Sequence, residues 1–130
     1  MRAYIYHLKS FLYPDEGVDR ALSLSTFYGV LHGYSLAGKK SHVDRPTEIY
    51  DIQAKEIYEN DEVEIRYDLT RLEILTGMKP VIRGFVEYRD GSFVAVNDEE
   101  DWLEYLGNDL IPENCKFFVK IVGNRHEKQP

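Results

Sequence analysis

The sequence predicts a mainly β fold, a β-rich α+β chain, and three observations carry that expectation. The stretch "DEVEIRYDL" alternates with period two: Val63, Ile65, Tyr67 and Leu69 point one way, Glu62, Glu64, Arg66 and Asp68 the other. That is the pattern of a half-buried strand. Two more alternating runs flank "RDGS", and its Asp90-Gly91 pair suits the positive φ values of a type I′ hairpin turn. Ten Tyr and six Phe favour strands and small barrels, where a ring covers the core and a hydroxyl reaches water. The expected architecture is a small antiparallel SH3-like β-barrel over residues 48–124, carrying one short helix. An N-terminal strand and helix segment, residues 1–45, packs on it as a looser part. At 130 residues the chain suits one domain, 1–130.

The elements follow in chain order. "MRAYIYHLKSFLY" puts Tyr4, Tyr6 and Leu8 on one face and reads as a first strand. Pro14, Asp15 and Glu16 make a helix start, and Val18, Ala21, Leu22 and Ser25 follow at helical spacing, so a short helix is expected from Glu16 to Leu24. "TFYGVLHGYSLAG" reads as strand material broken by Gly29 and Gly33. Gly38 to Glu48 is polar, carries Pro46, and is expected to be a long loop and the place for any boundary. After the Asp61 strand the phase slips near Thr70, which places a turn or bulge there, and "GMKP" is a further turn. The Asp90-Gly91 hairpin comes next. "NDEEDWLEYLGN" reads as a short helix, capped by Asn97 or Asp98, buried through Trp102, Leu103 and Leu106, and stopped at Gly107. Cys115 to Val122 is a last strand and "RHEKQP" a polar tail.

Charge narrows the function classes. A formal net charge of −7 works against electrostatically driven binding to nucleic acid or anionic lipid, and favours a basic partner if it favours any. One cysteine, Cys115, excludes an intramolecular disulfide and suits a reducing cytosol. There is no run of 18 apolar residues, and the start lacks the apolar core of a signal peptide, so a cytoplasmic protein with no membrane contact is expected.

The residues that could carry chemistry each have a simpler reading. "EIYENDEVEI" packs five acids into ten positions. On a strand Glu62 and Glu64 lie roughly 7 Å apart on one face, followed by Arg66, which is a solvated charge ladder rather than a metal cage. Asp61 belongs to a turn with Asn60, and Asp51 and the Asp90-Gly91 pair are further turn residues. No histidine pair has a metal-ligand spacing, and Cys115 reads as a buried thiol. Gly33, Gly38 and Lys39 fit the first part of a phosphate loop, but Lys40 stands where Ser or Thr must hold magnesium. Tyr58, Tyr67, Phe85, Tyr88 and Phe93 could stack bases, yet acids alternate with them, so they read as core. No metal, cofactor or catalytic residue is expected.

Three blocks, "DIQAKEIYENDEVEI", "GFVEYRDGSFVAV" and "VKIVGNRHE", resemble the YopX family of phage and prophage proteins. Asp51, Ile57, Tyr58, Glu59, Asp61 and Val63 match the first block of that family's pattern. Gly84, Val86, Glu87, Tyr88, Gly91 and Phe93 match the second, and Gly123, Asn124 and Glu127 the third. The resemblance runs from about Asp51 to the end. The stretch from Ser10 to Arg45 matches nothing in it. Where the pattern has two glycines this chain has Ala54 and Asn60. Asn tolerates the left-handed region, whereas Ala54 implies a turn of different shape. The resemblance implies a small, mainly β protein of phage or prophage origin with no assigned catalytic residues.

The function expected is therefore that of a non-enzymatic accessory protein, a binding module for a host or phage protein, with the acidic charge favouring a basic one. Lys39 and Lys40 in the expected loop, and the Glu62, Glu64, Arg66 face, are its candidate binding residues. The alternatives are a nucleic-acid-binding small barrel and an enzyme using Asp61, Glu62 or Glu64 in a cleft. Pairing into homo-oligomers through an edge strand is also compatible with the pattern.

Overall fold

The computed structural model describes residues 1–14, 20–67, 75–77, 80–99, 102–106 and 117–128. The expected helix start at Asp15 and Glu16, the phase break near Thr70, the Gly107 stop and Cys115 lie outside the described residues. The described residues form ten strands in three sheets and one α-helix, a mainly β chain. They divide into two compact units, Met1–Pro46 and Thr47–Pro130. The described helix is not long and apolar enough to cross a membrane.

In the first unit β1 (Arg2–Ile5) is the centre of a three-stranded antiparallel sheet between β2 (Ser10–Leu12) and β3 (Ser41–Asp44). The single first strand expected from sequence is thus a hairpin. Its alternation runs unbroken through Tyr6 and Leu8, but Lys9 takes φ 50, a left-handed conformation that no Gly or Asn advertises. Helix α1 runs from Arg20 to Leu36, across the stretch expected to be strand and well past the expected end at Leu24. Ser23, Phe27, Leu31 and Tyr34 recur every three or four residues, and Phe27 and Leu31 bury against Ala3 and Ile5. Gly29 and Gly33 face open space, so they cost helix propensity of about 1 kcal/mol each but no packing. Burial of the apolar stripe outweighs that cost. The helix stops where the Lys39 N–H donates to the Tyr34 carbonyl and Gly38 to that of Ser35, with Gly38 at φ 73. This is a Schellman cap. The "GKK" stretch is a helix terminator.

The expected loop from Gly38 to Glu48 is mostly strand, β3 and the start of β4 (Pro46–Tyr50). Its polarity hid the pattern. Asp44 is fully buried because Arg2 pairs with it, so a charged residue occupies a core position that would otherwise signal a strand by being apolar.

In the second unit β4 and β5 (Glu56–Tyr58) make a two-stranded sheet. The remaining strands are β6 (Asp61–Tyr67), β7 (Val81–Arg89), β8 (Ser92–Asn97), β9 (Trp102–Tyr105) and β10 (Phe117–Asn124). They form an antiparallel sheet in the order β10-β6-β7-β8-β9. One face of it packs Val63, Ile65, Val86, Ala95 and Val119 with Ile57 and Leu106 into the core. None of the described sheets closes on itself. The Tyr67 hydroxyl nevertheless reaches Glu104 at 3.1 Å, linking β6 to β9 three strands away, so the sheet curls strongly over its core. Asp90 and Gly91 join β7 to β8 with φ 51 and 85, both positive as a type I′ turn requires.

Two further expectations are corrected here. The stretch read as a short helix from Asn97 to Gly107 contains β9, with Leu103 41% exposed and Leu106 buried. A helix this short is marginal, whereas β8 offers a free edge and four ladder positions, Asn97↔Trp102 through Val94↔Tyr105. The polar tail begins with a 3-10 turn, Arg125–Lys128, in which His126 is buried and its N–H donates to Asn124 Oδ1 at 2.8 Å.

A charged sheet face as candidate functional site

Because β6 alternates, turning Val63 and Ile65 into the core turns Glu62, Glu64 and Arg66 to the opposite face. The register then selects their neighbours. Lys120 lies opposite Glu64 on β10, and Arg83 opposite Glu64 on β7. Phe85 lies opposite Glu62, and Val96 opposite Phe85. Sequence reasoning found the central strand of this face and missed its flanks. Their signal was present in the hairpin, since fixing Asp90-Gly91 fixes which residues of β7 share a face.

The face is less wet than expected. Glu62 is 7% exposed and Glu64 9%, because cations from neighbouring segments lie over them. Arg66 Nε meets Glu64 at 2.8 Å and an Arg83 nitrogen meets it at 3.4 Å, while Lys128 Nζ meets Glu62 at 2.6 Å. The Arg66 hydrogen bond, more than the burial that opposes it, holds the Glu64 carboxyl below the usual carboxylate range, and Arg83 adds to this. Beside them Glu87 accepts from Arg125 and Arg89, each at 2.8 Å. Burial pushes Glu87 up, but its two arginines outweigh burial and the net direction is down. Carboxylates held ionised in this way are poor proton donors at neutral pH.

Two open grooves cross the face. The larger, about 700 Å³, has Phe85 and Val96 as its apolar part, with Glu62, Glu87, Arg83, Arg125, Lys128, Asp98 and Glu99 around them. Arg125 sits over the Phe85 ring at 4.7 Å. Asp98 and Glu99 are exposed. The smaller, about 470 Å³, lies between Ile52, Gln53, Glu64, Arg66 and the β10 residues Phe118 to Lys120. Ile52 and Phe118 are both at least half exposed there.

The turn residues sit elsewhere and are fully engaged. Asp51 Oδ1 accepts the N–H groups of Gln53 and Lys55, each at 2.9 Å, and Oδ2 that of Ile121 at 3.1 Å. Asp61 Oδ2 accepts the Tyr58 N–H at 2.8 Å and Oδ1 the Asn124 amide at 3.3 Å. Asn60 has φ 73 and Ala54 φ 61. Ala54 takes the left-handed conformation, held there by the Asp51 bonds. Among the candidate aromatics, Tyr67 and Phe93 pack on the core and Tyr88 meets Phe93 edge-on at 5.1 Å, while Phe85 alone of these three strands' rings floors the groove. Lys39 and Lys40 are exposed in the first unit, Lys40 Nζ lying 4.8 Å from the Tyr6 ring. They belong to a different unit from Glu62, Glu64 and Arg66.

Comparisons with known proteins add nothing further: no family model, no curated protein and no solved structure matches the chain.

Proposed function

We propose that this is a non-enzymatic binding module, an accessory protein of the YopX type from a phage or prophage, whose larger groove takes a basic, partly apolar segment of another protein. The observation that carries the reading is the charge balance of that groove. Its cations are already matched, Lys128 by Glu62, Arg125 by Glu87 and Arg83 by Glu64. Asp98 and Glu99 have no cation partner among the described residues. Apolar floor plus uncompensated carboxylates favours an incoming Lys or Arg beside an apolar side chain. The same balance disfavours nucleic acid, whose phosphates would meet no uncommitted cation in this groove.

Two observations support the family and its SH3-like curl. Both positions where the YopX pattern has glycine, Ala54 and Asn60, are left-handed here. The Tyr67–Glu104 bond draws the sheet toward a small barrel. A single cysteine suits action in a reducing cytosol.

The test is a titration with two labelled peptides of equal length, one alternating Lys and Leu, the other Glu and Leu. The basic peptide is expected to bind and the acidic one not. An Asp98→Lys, Glu99→Lys variant is expected to weaken the basic peptide about tenfold, in line with two charge contacts. Equal binding of both peptides, or no loss in the variant, would overturn the reading.

A further inference from the structure

Across the outer face of the large sheet, one row of residues alternates in sign. Lys120 on β10 lies opposite Glu64 on β6, and Glu64 opposite Arg83 on β7. The β7–β8 ladder ends at Phe85↔Val96; Asp98 follows β8 in a turn and lines the same groove as Arg83, and the Asn97 amide donating to the Arg83 carbonyl at 2.9 Å holds this end of β8 against β7. Lys120, Glu64 and Arg83 therefore read plus, minus, plus over about 10 Å, at two inter-strand steps, and Asp98 adds a minus charge in the groove beside Arg83. The end charges of this series, Lys120 and Asp98, are exposed and have no ion-pair partner among the described residues.

A row of this kind is complementary to its own reverse. A two-fold axis lying along the strands, between β6 and β7, sets Lys120 of one copy against Asp98 of the other and Glu64 against Arg83. Each of these contacts then occurs twice, as an isologous interface requires. We propose that the protein associates with a second copy of itself through this face. The two uncommitted end charges are what the second copy satisfies, and Ile52 and Phe118, exposed beside Lys120, supply apolar surface at the same rim. The inference shares Arg83 and Asp98 with the peptide groove, so a second copy and a peptide would compete there; self-association is read without any peptide, and its failure is thereby distinguished from a failure of the peptide reading.

Sedimentation of the whole chain from micromolar to millimolar concentration, at low salt and at 1 M salt, tests it. A dimer is expected at low salt and its loss at 1 M, where the screening length is about 3 Å. Lys120→Asp alone sets Asp against Asp twice, and Asp98→Lys alone sets Lys against Lys twice. Each is expected to weaken association about tenfold. An equimolar mixture of the two variants pairs opposite charges at both positions and is expected to recover dimer, as is the double variant in one chain. A wild-type chain that stays monomeric at low salt, or a mixture that associates no better than its components, would overturn the proposal. Both positions are exposed, and far-ultraviolet circular dichroism confirms that each variant is folded before it is counted.

Discussion

In the first unit Arg2 Nε meets Asp44 at 3.0 Å, and their side chains are 7% and 0% exposed. On the large sheet Glu64 also holds arginines, at 2.8 and 3.4 Å, but those arginines are 69% and 62% exposed. The contact chemistry is the same and the surroundings are opposite. Arg2 additionally lies over the Phe11 ring at 4.1 Å, so its charge is enclosed on two sides. A buried pair adds little over an apolar replacement of both partners, but breaking it strands a charge. A wet pair can be broken or exchanged at small cost. Asp44 is thus committed to holding β1 against β3, while the face around Glu64 can trade partners, which is what a binding surface must do.

The comparison can be broken at several places. Arg2→Met removes the arginine from buried Asp44, leaving His42 Nε2 at 3.7 Å as a weaker neighbour, and is expected to destabilise by about 3–5 kcal/mol, read from the urea midpoint. A loss below about 1 kcal/mol would mean that the pair is solvated after all. Asp51→Ala removes the acceptor of three backbone N–H groups and is expected to cost about 3 kcal/mol, with Asp51→Asn recovering part of it. Ala54→Gly relieves a left-handed alanine and is expected to stabilise by about 0.5–1 kcal/mol after the entropy of glycine in the unfolded chain is subtracted.

The smallest effect belongs to the wet pairs. Arg66→Ala is expected to cost less than about 1 kcal/mol. Glu64 has a lowered pKa in the folded state and the ordinary one, about 4.3, when unfolded. Its contribution is therefore complete above the unfolded value and is lost as pH falls through the folded value. Stability of the wild type is expected to fall more steeply below about pH 4.5 than that of Glu64→Gln, and parallel curves would show that the arginines do not hold the carboxylate.

Legibility followed the same division. The β7–β8 hairpin was readable because its apolar residues alternate and Asp90-Gly91 announces the turn. The strand from Asp61 was readable for the same reason, although the covering of Glu62 and Glu64 was not, since Arg83 and Lys128 come from segments 19 and 66 residues away. Helix α1 was misread because the exposed residues of its outer face are uncharged: Tyr28, Gly29, Val30 and Gly33 blur the contrast that marks an amphipathic helix. Strand β3 was misread as loop because its inward residue at the Arg2 position is an aspartate. The acidic helix expected after Asn97 had sound local signals and lost to the edge of β8, a long-range partner that no local pattern reveals.

The sequence by itself determined the alternation of β6, β7 and β8, the turn between the last two, and hence that Glu62, Glu64 and Arg66 share a face. These are consequences of a two-residue side-chain period and of the φ values open to Asp and Gly, and both are local. Tertiary structure alone decided which cations cover that face, that Asp44 is buried, that β9 is a strand, and that Lys120, Glu64 and Arg83 fall into one row. Each of those depends on pairing between segments distant in the chain, where register and burial rather than neighbouring residues set the energy.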